Sequence, residues 1–236
     1  MLEGTNCIIF DVETKRSAQD CLHCGEEQDV CVQRWLAPES LHRFEPIGWD
    51  RKGVLGLSIG CFWDYQDQRL HFFDVFTLTE TLQSWVDRQA LLVSFNGASF
   101  DAPLLLAQLQ DGQDSLQALS AAFYGLMLRG YDILAVVWQA DAARKFARGL
   151  NSLGALSVAN GLGAKEMDGA LAPRLWAQGR HAEVTNYVAS DVLKTKGLFE
   201  LIVTQGSILR GDGLPIRLPR PILSPVTKEN ADGRLC

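Results

Sequence analysis

Four carboxylates and one phenol carry the chemistry legible in this chain of 236 residues: Asp11 and Glu13 in CIIFDVET, Asp101 in FNGASFD, and Tyr187 with Asp191 in NYVASDV. Oxygen-only ligands of this kind suit Mg²⁺ or Mn²⁺ rather than zinc, and four of them can hold two such cations. Asp and Glu make up 28 of the 236 residues, so a single acid at any position says little. The settings of these four carry the argument.

Cys7 to Asp11 is an apolar, β-branched run that reads as a buried strand. Asp11 and Glu13 lie two apart at its end, and strand side chains repeat every two residues, so both leave the same face of a sheet. Alone, Asp11 also reads as a turn residue. As a pair without Lys or Arg between them, the two acids repel unless a cation neutralises them. Leu91 to Phe95 is a second apolar run, followed by Asn96 and Gly97. Asn-Gly is a common hairpin signal, but Leu104, Leu105, Leu106 and Leu109 continue at helical spacing, and a strand-to-helix turn fits better. Asp101 then opens a helix, where cap and ligand are both open readings. A long helix is predicted from about Ala182 to Val203. On it Tyr187 and Asp191 share a face with Cβ atoms about 5–6 Å apart, although an ordinary surface pair would show the same spacing.

Together these segments resemble the DEDDy group of 3′-to-5′ exonucleases in the ribonuclease-H-like (DnaQ-like) superfamily. Asp-x-Glu after an apolar strand matches Asp11 and Glu13, Asn-x-x-x-Phe-Asp matches Asn96, Phe100 and Asp101, and Tyr-x-x-x-Asp matches Tyr187 and Asp191. YDIL around Asp132 and the MDGALAPRLW stretch from Met167 are softer matches to prokaryotic members. The resemblance implies an α/β fold, a mixed sheet of three antiparallel strands plus parallel strands flanked by helices. It implies two divalent cations, Mg²⁺ or Mn²⁺, with Asp11 bridging them, Glu13 and Asp191 holding the one that carries the attacking water, and Asp101 supporting the other. It assigns substrate contacts to Thr14, Lys15, Asn96 and Phe100. The implied reaction is hydrolysis at the 3′ end of single-stranded or frayed DNA or RNA, releasing nucleoside monophosphates. A polymerase or repair complex is the candidate partner. Tyr187, whose phenol has a reference pKa of about 10, aims the water instead of deprotonating it. His181, ten residues before Asp191, lies about 15 Å along the helix axis and cannot share that water.

A net charge of −6 argues against a nucleic-acid binder in general, but part of that acidity is the metal cluster, which turns cationic once loaded. Lys15 and Arg16 beside the first acidic pair can grip a short stretch of backbone. Arg144, Lys145 and Arg148 suit either that role or a helix C-terminus. The other readings of the same fold are a catalytically silent binding module, an internal-cutting nuclease or a nucleotide phosphohydrolase. No run of eighteen apolar residues and no secretory leader pattern stands out, so a soluble, cytoplasmic protein that binds no membrane is expected.

The organisation predicted is one domain over 1–206 with an insertion at about 17–52, then a proline-rich, extended tail over 207–236. The insertion carries Cys21, Cys24 and Cys31. These can hold a structural Zn²⁺ with His23 or His42, or stay as reduced thiols. Trp35 and Trp49 in the same stretch suit either packing or base stacking. Strands are expected over Val54–Trp63 and Arg69–Val75, helices over Thr79–Arg88 and Gln113–Leu126. Tyr131–Leu134 reads as a short strand, with Asp132 capping a helix over Ile133–Ala140. Asn151–Asn160 reads as a further helix, and Asp168 as a turn residue.

Overall fold

Alternation along the first strand sends its side chains into two different cores. The computed structural model describes residues 2–24, 45–109, 114–144 and 149–223, and in it Cys7–Thr14 forms β1. Ile8, Phe10 and Val12 point into one hydrophobic cluster, while Cys7 and Ile9 point into the other. The period of two therefore carries Asp11 and Glu13 to the face shared with Cys7 and Ile9.

β1 is the centre of a five-stranded mixed sheet in the order β3-β2-β1-β4-β5. β2 (Leu57–Asp64) runs antiparallel to β1, placing Cys61 opposite Asp11 and Ile59 opposite Glu13. β3 (Arg69–Phe73) runs antiparallel to β2. β4 (Leu91–Ser94) lies parallel to β1, and β5 (Tyr131–Asp132) parallel to β4. Three antiparallel strands followed by two parallel ones, flanked by helices, is the sheet expected from the sequence.

On the first face lie α1 (Lys52–Leu55), α2 (Leu78–Asp87), α3 (Asp101–Gln108) and α4 (Asp114–Arg129). Their anchor is Trp85, fully buried with ring centroids 5.3 to 6.3 Å from Phe10, Phe62, Phe73 and Phe123. On the second face lie α5 (Ile133–Ala140), α6 (Leu153–Ala159), α7 (Ala172–Ala177) and α8 (His181–Gln205). Val188, Val192, Phe199 and Ile202 seat α8 against the sheet, directly over the face that bears the two acids.

Several boundaries differ from the sequence expectation for local reasons. Val54 belongs to the helical turn α1, and the strand starts at Leu57 because Gly56, at φ 67°, reverses the chain between them. β3 stops at Phe73 because the Asp74 carboxylate accepts from the Phe76 and Thr77 amides and folds the backbone into a turn. The insertion closes on itself at its base. Leu22 N–H donates to Glu45 O, Ile47 N–H to Asp20 O and Gly48 N–H to Ala18 O, with Ala18, Cys21 and Ile47 buried.

The predicted tail is corrected over its first part. Ser207–Leu209 and Pro215–Arg217 pair as an antiparallel hairpin, β6 and β7. Ile208, Ile216 and Leu218 enter the second core, and the buried Arg210 forms ion pairs with Asp141 and Asp212. The chain here is extended, as Pro215 and Pro219 imply, but apolar burial docks it on the domain as a paired hairpin. No helix among the described residues is long and apolar enough to cross a membrane.

Candidate functional site

The site forms where the parallel strands end. Pairing between β1 and β4 extends only to Ile9 opposite Val93, so Asp11 and Glu13 project past the carboxyl end of β4. Crevices of this kind are where open α/β sheets bind ligands. Above them the β4–α3 turn brings in Asp101. Asn96 takes φ 69°, and Gly97 must lack a side chain because a Cβ there would meet the Ser94 side chain and stand 3.0 Å from Asp101 Oδ2. The turn is tied from below by Asp132, whose carboxylate accepts from the Asn96 amide at 2.9 Å and the Ala98 amide at 3.0 Å. The same carboxylate accepts from Ala135 N–H at 3.2 Å, the helix cap predicted for α5.

α8 supplies the remaining groups. Tyr187 and Asp191, one turn apart, are both buried and face β1. Ligand atoms of Asp11, Glu13 and Asp191 all lie within 4.8 Å of one another. Burial first, and the Asp191 charge second, push the Asp11 carboxyl up to about 7 against the pull of Lys165. Glu13 is raised well above its ordinary value by burial, then by Asp11 and Asp191. Asp101 is raised likewise by burial, then by Asp11 and Asp132, with Lys52 pulling the other way. Asp191 Oδ1 is buried with no hydrogen-bond partner. Converging carboxylates, with an orphaned buried oxygen among them, fit a divalent cation with oxygen ligands.

Burial, followed by the nearby Asp191, Glu13 and Asp11 charges, raises the Tyr187 phenol far above its ordinary value, so it stays a neutral hydroxyl at any physiological pH. Its oxygen sits under the Gly169 backbone, where a Cβ would approach to 3.1 Å. The MDGALAPRLW stretch thus roofs the site, with Asp168 accepting from Ala170 N–H as the turn residue anticipated.

Sequence reasoning missed Lys165. Its Nζ lies 2.6 Å from Asp191 Oδ2 and donates to the Tyr187 hydroxyl at 2.7 Å. The residue sits on an irregular connection between α6 and α7 where no periodicity signals its direction. The predicted substrate residues divide. Asn96 lines a cavity of about 490 Å³ beside the acids, together with Asp11, Phe95, Leu134, Trp138, Leu153, Lys165 and Asp191. Phe100 is half-buried, its ring 5.8 Å from Trp49 and 4.0 Å from Lys52 Nζ. Thr14 is buried and its hydroxyl donates to Arg16 O, which gives it a local partner instead of a place on the cavity wall. Lys15 is exposed, its stem against Gly56. His181 starts α8 and stacks on Trp176 at 4.1 Å. In the cysteine cluster, Cys21 is buried and Cys24 half-buried, while Cys31, Trp35 and His42 lie outside the described residues, as do Lys145 and Arg148.

A family model of the ribonuclease H superfamily, RNase_H_2, matches residues 53–203. The chain belongs to that superfamily and has its nuclease-type fold. The matched segment includes Asp101, Lys165, Tyr187 and Asp191, whereas β1 with Asp11 and Glu13 precedes it. No curated protein matches the chain.

Proposed function

We propose that this protein is a metal-dependent 3′-to-5′ exonuclease of the DEDDy type, acting on single-stranded or frayed nucleic acid and releasing nucleoside monophosphates. The observation that carries the reading is the convergence of Asp11, Glu13 and Asp191 to within 4.8 Å, with the buried Asp101 close enough to Asp11 for their charges to interact and the Tyr187 hydroxyl tied to the same group through Lys165. Asp11, Glu13, Asp101 and Asp191 would hold Mg²⁺ or Mn²⁺, which when bound supplies charge neutralisation at the phosphate and a lowered pKa for attacking water. Tyr187, kept neutral, orients that water by hydrogen bonding. The adjoining cavity of about 490 Å³ falls in the size class that holds one small molecule. Phe95, Leu134, Trp138 and Leu153 offer apolar walls for a terminal nucleoside, which favours cleavage from an end over internal cutting.

The test uses labelled single-stranded DNA and RNA with free or blocked 3′ ends, beside a circular strand, each with Mn²⁺ or Mg²⁺. A ladder of mononucleotide release from free ends only is expected, lost in Asp191→Ala. Nicking of the circle, or no hydrolysis of any substrate by the wild type, would refute end-dependent catalysis.

A further inference from the structure

Lys165 stands where the proposed exonuclease needs a cation, and the surroundings are shaped for it. Gly154 on α6 leaves a notch through which its stem passes, since a Cβ there would press to 3.1 Å from Lys165 Cγ. The backbone next to it is moored to α8, with Glu166 accepting from Ser190 Oγ at 3.0 Å and Ser190 in turn bonded by Lys194. The side chain is about one third exposed, and Lys165 lines the same cavity as Asp11 and Asp191. A fixed base, a notched path and a partly free tip describe a side chain that can change partners while its backbone stays put.

We propose that Lys165 is a tethered counter-cation: its ammonium holds Asp191 and Tyr187 in position in the metal-free site, competes with metal for Asp191 Oδ2, and yields that oxygen when a substrate phosphate enters the cavity. One observation and one general argument support this. Nζ sits on Oδ2 at 2.6 Å, so a divalent ion that draws on that oxygen has to displace the pair or share the carboxylate's charge with it. An anionic phosphate in the cavity offers the ammonium a replacement partner with a better charge match than one shared carboxylate oxygen. Metal at Asp191 and nucleotide in the cavity therefore favour one another, and by linkage the coupling is reciprocal.

This inference rests on the metal-centre reading, and calorimetric titration of Mn²⁺ separates the two. Lys165→Met should bind its weaker Mn²⁺ about tenfold more tightly than wild type, and Gly154→Ala, which crowds the lysine stem without touching an acid, should shift in the same direction. Thymidine 5′-monophosphate should tighten Mn²⁺ binding more in wild type than in Lys165→Met. Equal or weaker Mn²⁺ binding by a folded Lys165→Met, or by Gly154→Ala should Lys165→Met not fold, overturns the competition. An unchanged nucleotide effect in the variant overturns the hand-over. Wild type that binds no Mn²⁺ refutes the metal centre and this proposal with it. The predicted differences in a protein that hydrolyses no strand would refute the exonuclease and leave the lysine's role standing.

Discussion

At Asp11 the needs of folding and of metal binding oppose one another. Desolvation and the Asp191 charge raise this carboxyl to about 7, so between the unfolded value near 4 and about 7 the folded, metal-free chain binds more protons than the unfolded one. Stability then falls as pH rises through that window and is lowest above it. Melting of the metal-free protein should therefore drop from pH 5 to pH 8, and Mn²⁺ should remove the drop by supplying the missing positive charge. Asp11→Asn deletes the repulsion. Its metal-free form should melt about 2–4 °C above wild type at pH 8, the shift that about 1 kcal/mol produces at this size, while Mn²⁺ no longer raises its melting point. Differential scanning calorimetry across pH, with and without Mn²⁺, checks both. A flat profile for wild type would remove the physical basis for a cation at this position.

The turn between β4 and α3 shows how little of a site's support is written in its motif. Asn96, Phe100 and Asp101 were legible because a β-run, Asn-Gly and a leucine-rich helix follow one another in order. Asp132 was legible only as the cap of α5, yet its carboxylate also holds the Asn96 and Ala98 amides, a bond across 36 residues that local pattern cannot announce. Lys165 and the clearances at Gly154 and Gly169 went unseen for the same reason: Lys165 and Gly169 serve Tyr187 and Asp191 on α8, and Gly154 makes room for the Lys165 stem, partners remote in sequence and reached only when the chain folds. Asp132→Ala removes a cap and two turn bonds together. It should cost about 3–4 kcal/mol, from roughly 1 per turn hydrogen bond and 1 to 2 for a cap. Because Asp101 rides on that turn, Mn²⁺ affinity should fall as well. Denaturant melts and Mn²⁺ titration of the same variant check the pair of effects. Lost stability with intact metal affinity would mean that α3, not the turn, places Asp101.

Across the whole molecule, the second core has to be closed by something, and the sequence concealed what. The long helix expected over about Ala182–Val203 is present as α8, but the prolines beyond Ser207 pointed only to an extended tail and not to what it packs on. The hairpin instead caps the far end of α8, with Ile208, Ile216 and Leu218 packed into the same cluster as Val192, Phe199 and Ile202. Leu218 N–H donates to Gly206 O at 3.0 Å, and Tyr131 on the edge strand β5 donates its hydroxyl to Pro219 O at 2.7 Å. The segment is thus stitched to both a helix and the sheet that position the site. Removing it strips three buried side chains, worth roughly 5–9 kcal/mol at 1.5–3 each, from a fold whose total stability is of order 5–15 kcal/mol. A chain ending at Gly206 should lose its cooperative melt or shift it down by more than 10 °C. It should also lose Mn²⁺ binding, although no ligand has been touched, because Asp191 and Tyr187 stand on the helix left uncovered. Ile208→Ala alone should cost about 2–5 kcal/mol and keep the metal. If the shortened chain melts like the full one, the hairpin is an accessory and residue 206 marks the true end of the folding unit.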